Sequence, residues 1–510
     1  MKVHFGRRAC STEVAIENVD SQETSDAATC PTSSTTPITK PRNPADLTVR
    51  QSILPLSLVI TLFFVWGFCG GLSGVLNKKF QDVLHLSKTQ STGLQIAFSS
   101  AYAIGPPTYS AYLLRRVGYR WTLTFGLIVF GIGTLCFWPS GKYESFGGFC
   151  GASFVVGSGA ATLATAAHPY VSICGPEKYS AIRINLAEAI QSAANVIALV
   201  LASYVILDDV SPKGAPTMGK GATLESVQLI YLGVGLFVFV LALLTYFMPI
   251  VEISDEDLEG IQRQRRAAKG IADGVNAEKS FWKQYILFFA VFAGACGMGA
   301  QGSIQAFFIN YALEVKPDLS EKAAAHKLVI ASSVFAVSRF IATFLMTKIK
   351  PRYILLASGI GGVSCLAAAM GTKGTAGIAM MMIEAAFRSA FFPTLFSLAL
   401  KGLGKHTKRA SGFIVASVSG AALFAPAMGA AADAMGTQKA LFVPLIAVAI
   451  ATSYPIYLNL RGDASHCDPD IEDLESRTHS DLTIDTAEVE KQGETIPVVT
   501  EEEVEKAVEK

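Results

Sequence analysis

Apolar runs of about twenty residues alternate with short polar breaks through most of the chain. They fall near 53–77, 91–114, 119–139, 145–173, 180–207, 226–250, 284–313, 323–347, 352–371, 375–402, 409–433 and 438–459. Each is close to the length of helix that crosses a bilayer's hydrocarbon core. The pattern therefore predicts an all-α membrane protein with twelve transmembrane helices. Six lie before a longer hydrophilic stretch, 251–283, and six after it. Residues 51–250 and 284–460 read as two six-helix bundles, and 251–283 as the linker between them. Residues 1–50 are rich in Ser, Thr and Pro and cannot bury enough apolar surface to order themselves. The acidic tail 461–510 is expected to be disordered for the same reason.

Charge adds orientation. Basic residues follow the even-numbered runs: Arg115, Arg116 and Arg120; Lys178 and Arg183; Arg263, Arg265, Arg266 and Lys269; Lys348, Lys350 and Arg352; Lys401, Lys405, Lys408 and Arg409. Cytoplasmic loops carry such an excess. Both tails and the linker are expected in the cytoplasm, although Lys78 and Lys79 after the first run weigh the other way. A multi-pass protein of the plasma membrane, acting as a monomer, is expected. The net charge of +1 gives no footprint for nucleic acid. The nine cysteines form no CxxC pair, so neither a metal centre nor a disulfide framework is expected. No cofactor is implied. The GMGAQG stretch at 297–302 matches a dinucleotide fingerprint but lies inside an apolar run with no strand before it.

Two bundles around a linker are the plan of a secondary transporter, whose solute site lies between the halves near mid-membrane. A channel would need a filter loop or charged rings, and an enzyme clustered His, Asp or Glu. Neither pattern is present, so no enzymatic activity is expected. Four stretches carry a more specific likeness: FFVWGFCGGLSGVLNKKFQ (63–81), FWPSG (137–141), GPEKYSAIRINLAEAIQ (175–191) and FFPTLFSLALKGLGKHTKRASGFIVASVSGA (391–421). Together they resemble the fucose–proton symporter family, a branch of the major facilitator superfamily, and the long hydrophilic tails resemble its fungal members. The resemblance spans roughly 53–460. It implies alternating access, a monosaccharide solute and proton coupling. The family's usual acids are missing, however. Gly74 stands where the first span carries an aspartate, and Ala164 where the fourth carries a glutamate. His168 replaces an asparagine and Glu188 a glutamine, while Asn185, Gln191 and Gln301 match.

The remaining polar residues of the apolar runs are the candidates for solute and proton. Glu188, Gln191 and Asn195 share one helix face. Glu188 stands two turns, about 12 Å, into its run; it either lines a central cavity or pairs with Arg183 or a base of the linker. Gln301 and Gln305 share a face of the seventh run, and their amides suit sugar hydroxyls. Glu384 and Arg388 are four apart, so they form a structural ion pair or leave Arg388 for a solute carboxylate. Arg339 has no local partner; it faces the cavity or reaches Glu384. His168, before Pro169, is either a packing residue or a titrating one. Solute binding is thus assigned to Gln191, Asn195, Gln301, Gln305 and Arg388, and proton coupling to Glu188, His168 or Glu384. Export of a larger, less polar or drug-like metabolite stays open, since Gly74 and Ala164 enlarge and neutralise the cavity. The topology makes a direct prediction. Tags at either terminus or in the linker resist protease added to sealed cells; digestion of any one from outside contradicts it.

Overall fold

The computed structural model describes residues 49–83, 88–143, 145–202, 220–248, 250–268 and 280–461. The two tails expected to be disordered and much of the linker lie outside them. The described residues are almost wholly helical. In chain order the helices are α1 (Val49–Val83), α2 (Lys88–Ile104), α3 (Ala111–Lys142), α4 (Phe146–Ile173), α5 (Ser180–Ala202) and α6 (Lys220–Phe247), then α7 (Asp255–Ala268) in the linker. The second half holds α8 (Tyr285–Val315), α9 (Glu321–Leu345), α10 (Pro351–Gly371), α11 (Gly374–Arg388), α12 (Phe391–Leu400), α13 (Thr407–Ala416), α14 (Gly420–Met435), α15 (Thr437–Ala440) and α16 (Phe442–Arg461).

Ten stretches among the described residues are long and apolar enough to cross a membrane. One of them, Gly93–Lys142, is 50 residues long and bends at Gly118, where φ is 84°. It therefore holds two crossings. The shorter apolar helix Leu232–Phe247 supplies one more, so the twelve expected spans are all accounted for. Span 10 runs through α11 and α12, span 11 through α13 and α14, and span 12 through α15 and α16. The outward faces remain apolar: Leu236, Phe237, Val240, Leu243 and Phe247 of α6 are all exposed. A lipid-facing helix needs this surface.

Close helix approaches explain two glycine positions. A Cβ on Gly67 would lie 2.0 Å from the Gln191 carbonyl oxygen, and one on Gly71 would lie 2.4 Å from that of Asn195. Spans 1 and 5 thus touch backbone to backbone through a small-xxx-small stripe. Spans 7 and 11 repeat the device, with Gly420 against the Ala295 carbonyl at 2.0 Å. Each half thus holds a backbone-to-backbone helix contact of this kind.

The halves are tied together on the side where α7 lies, the linker side. The Glu252 carboxylate accepts the backbone N–H groups of Tyr119 and Arg120, at 2.6 and 2.8 Å, and caps the third span just after its bend. Asp255 lies 2.9 Å from Arg115 in the first half and 3.5 Å from buried Lys408 in the second. Ser254 and Asp257 exchange backbone and side-chain hydrogen bonds as a capping box that starts α7. These bonds hold the Asp257 carboxyl below its usual range. Pro169 cannot donate to the Thr165 carbonyl one turn back. Ser411 of span 11 donates to that oxygen instead, at 2.5 Å. Asn185 of span 5 donates to Thr394 of span 10 at 3.2 Å.

The glycine stripe is testable. Gly71→Ala drives a methyl group into the Asn195 carbonyl and should cost about 1–3 kcal/mol of overpacking. Gly151→Ala meets nothing within 4 Å and should be neutral. Thermal unfolding in detergent compares them; equal midpoints would refute the packing assignment.

Candidate functional site

Glu188 lies between the halves, with only 6% of its surface exposed. Its run of neighbours, Ile184, Ala187 and Ala189, is fully buried, so the carboxylate has no water to lean on. A charge in such a place must be paired, and two side chains meet it. His168 of α4 approaches Oε1 with Nε2 at 2.7 Å. Arg339 of α9, from the other half, donates through Nη1 to Oε2 and to the Glu188 backbone oxygen, both at 2.9 Å. The same nitrogen reaches Ser192 Oγ at 2.7 Å, and Arg339 Nε donates to the Ser389 carbonyl of span 10 at 2.7 Å. One guanidinium therefore joins spans 5, 8 and 10.

The proton count of this cluster follows from donor chemistry. His168 Nδ1 lies 2.9 Å from the Ala164 carbonyl oxygen. A carbonyl only accepts, so Nδ1 carries a hydrogen. Nε2 and Oε1 at 2.7 Å then need a second proton between them. Either the imidazole is doubly protonated or the carboxyl is protonated. Without that proton two lone pairs face each other. Aromatic rings surround His168: Phe63 and Phe396 at 5.0 Å, Phe392 at 6.0 Å and Trp66 at 6.1 Å. Span 1 and span 10 supply them, so the cage too is shared by both halves. Tyr102 of span 2, another titratable group near Glu188, is fully buried with no partner for its hydroxyl among the described residues.

Comparison with known proteins agrees with this architecture. The family model described as Major Facilitator Superfamily matches residues 58–426, more than half of the chain. The chain belongs to the Major Facilitator Superfamily. Within that superfamily it is 29% identical to the L-fucose-proton symporter of Escherichia coli (strain K12), over 79% of this chain and 92% of that protein. It is 30% identical to the glucose/galactose transporter of Brucella abortus biovar 1 (strain 9-941), over 78% and 92%. The crystal structure of the Major Facilitator Superfamily transporter FucP in the outward conformation superposes with a TM-score of 0.67 at 26% identity, covering 80% of this chain and 99% of that one. The protein is an integral, multi-pass membrane transporter of this superfamily.

On that facilitator frame the sequence candidates take definite places. Arg183 does not pair with Glu188. It donates to the carbonyls of Val171, Ser172 and Pro176 at 2.9, 2.7 and 2.6 Å, closing the end of α4. Arg339 does not reach Glu384 either, because Glu188 is nearer across the interface. Glu384 is fully buried and takes Arg388 Nε through both oxygens, at 2.8 and 3.1 Å. Gln191 and Asn195 are half-buried beside span 1, where a Cβ on Gly70 would lie 3.4 Å from Asn195 Nδ2. Gln301 is half-buried on α8 between Gly297, packed on Phe391, and Gly302, packed on Ala421. It therefore faces the gap between spans 10 and 11. Gln305, one turn further on that face, is exposed. Among the described residues no group of His, Cys, Asp and Glu is placed to hold a metal ion.

Arg339 is the partner the sequence left open. Arg339→Met would strand Glu188, and removing one member of a buried pair costs about 3–5 kcal/mol. Arg339→Met should lower the unfolding temperature sharply, and adding Glu188→Gln should recover much of the loss. An unfolding temperature equal to wild type in the single variant would contradict the pairing.

Proposed function

We propose that this transporter moves a monosaccharide or a similarly polar solute by alternating access, with a proton carried by the His168–Glu188 pair. Both termini and the linker face the cytoplasm, the protein sits in the plasma membrane as a monomer, and the solute site lies between the bundles. Gln191, Asn195, Gln301, Gln305 and Arg388 supply its polar contacts. In this orientation the ties on the linker side close the cytoplasmic end, in keeping with the likeness to FucP in its outward conformation. The observation that carries the proposal is the 2.7 Å contact between His168 and Glu188, which needs a shared proton, beside Arg339 of the other half.

The steps follow from those groups. With the proton bound, Glu188 accepts from both His168 and Arg339, and the halves stay joined at spans 5 and 8. When the proton leaves, His168 Nε2 and Glu188 Oε1 repel, and the arrangement at the junction changes. Proton occupancy thus favours one packing of the interface over another, which is what coupling requires. The neutralised acid positions, Gly74 and Ala164, need no part in this. Ala164 contributes only its carbonyl, which fixes the His168 tautomer. Export of a less polar metabolite is not favoured: the relatives carry the names of sugar transporters, and the interface is lined by charged groups.

The test uses sealed vesicles, an imposed pH gradient, acid outside, and labelled L-fucose, D-glucose and D-galactose. Wild type should accumulate at least one of them uphill. Glu188→Gln keeps the size of the side chain but binds no transportable proton. It should lose uphill accumulation and keep solute exchange at equal pH. Accumulation by Glu188→Gln at the wild-type level would remove this pair from the mechanism and leave Glu384 as the next buried carboxylate to examine.

A further inference from the structure

The ion pair of span 10 is one-sided. Glu384 occupies only Nε of Arg388. Neither terminal nitrogen of Arg388 makes a hydrogen bond to any described residue, and 12% of the side chain is exposed. The guanidinium is therefore held by its inner edge, with its outer fork unoccupied. Its direction is constrained by its neighbours. Phe387 packs on Gly361 of α10 and Phe391 on Gly297 of α8, so Arg388 takes the remaining side, toward α9. There its guanidinium carbon lies 5.3 Å from the centre of the Phe335 ring. The Arg339 guanidinium carbon lies 4.6 Å from the same ring. Two cations thus share one aromatic ring, and one of them belongs to the proton cluster.

The charges around this ring do not balance. Arg339, Arg388 and the proton shared by His168 and Glu188 oppose only two carboxylates, Glu188 and Glu384. The cluster carries one net positive charge when the proton is bound. A half-buried cation with an open fork suits an anion, and a planar fork matches a carboxylate with two parallel hydrogen bonds. We propose that Arg388 receives the carboxylate of an acidic sugar, a hexuronate or aldonate, so that the transporter takes monosaccharide acids in preference to neutral hexoses. This narrows the monosaccharide reading above and rests on it.

The arrangement also links solute to proton. An anion on Arg388 screens it from Arg339 across Phe335 and makes the additional proton at His168–Glu188 more favourable. By reciprocity the bound proton tightens the anion by the same factor. Solute and proton then load together, as symport requires.

The full-length protein in proteoliposomes tests this with labelled D-galacturonate, and with unlabelled galacturonate and gluconate competing against labelled D-galactose and L-fucose. Saturable galacturonate uptake with a KM at least about tenfold below that of either neutral sugar is expected, the worth of one charge-assisted pair. Arg388→Gln should raise the galacturonate KM by at least about tenfold, and Arg388→Lys should fall between the two. If wild type takes up galactose or fucose and a large excess of either acid does not compete, the acidic-sugar assignment fails while the transporter reading stands. An unchanged galacturonate KM in Arg388→Gln also overturns it. Wild type that binds neither acids nor neutral sugars overturns both readings. Because the competition arm uses wild type alone, it decides the matter even if the Arg388 variants do not fold.

Discussion

A carboxylate buried between two helical bundles cannot stay unpaired, and in this protein the pairing reaches across the interface. Glu188 has His168 from its own half on one oxygen and Arg339 from the other half on the second. Two ions in an apolar setting are costly singly and tolerable together, so each half completes the other's charge. Spans 5 and 8 are held together by that need, not by apolar contact alone. The same group is the one whose proton count decides whether the contact can exist. The structural tie and the proposed coupling thus share one side chain.

Further contacts within and between the halves surround this junction. Within each half, glycines bring helices into backbone contact, at Gly67 and Gly71 in the first and at Gly420 in the second. Between the halves polar ties add to the apolar packing: Ser411 on the carbonyl that Pro169 leaves free, Asn185 on Thr394, and Asp255 between Arg115 and Lys408. All lie in the linker-side parts of their helices.

Much of this was legible in the sequence. Hydrophobic runs located the spans, since membrane helices must be long and apolar. The bend at Gly118 was marked by the basic break between the second and third runs. His168 and Glu188 stood out as polar groups at depth, and the Glu384–Arg388 pair followed from its spacing of four. The Glu188–Arg339 bond did not follow, because its partners are 151 residues apart and no local pattern encodes such a distance. A signal existed all the same. Each was a charge within an apolar run and lacked an opposite charge one turn away, so each had to find a partner elsewhere. Arg183 was the misleading neighbour; the unsatisfied carbonyls at the end of α4 claimed it first. The resemblance to the fucose–proton symporter family placed the fold but not the acid. Ala164 stands where the resemblance implies an acid, and its backbone oxygen lies 2.9 Å from His168 Nδ1.

The central claim is that the proton between His168 and Glu188 travels with the solute. Proton movement evoked by solute measures this most directly, in weakly buffered proteoliposomes with the membrane potential clamped by a potassium ionophore. The account predicts that adding a transported solute to wild type alkalinises the outside in proportion to solute entry, and that Glu188→Gln admits solute down its gradient with no pH change. Solute entry without proton movement in wild type, or undiminished proton movement in Glu188→Gln, would contradict it.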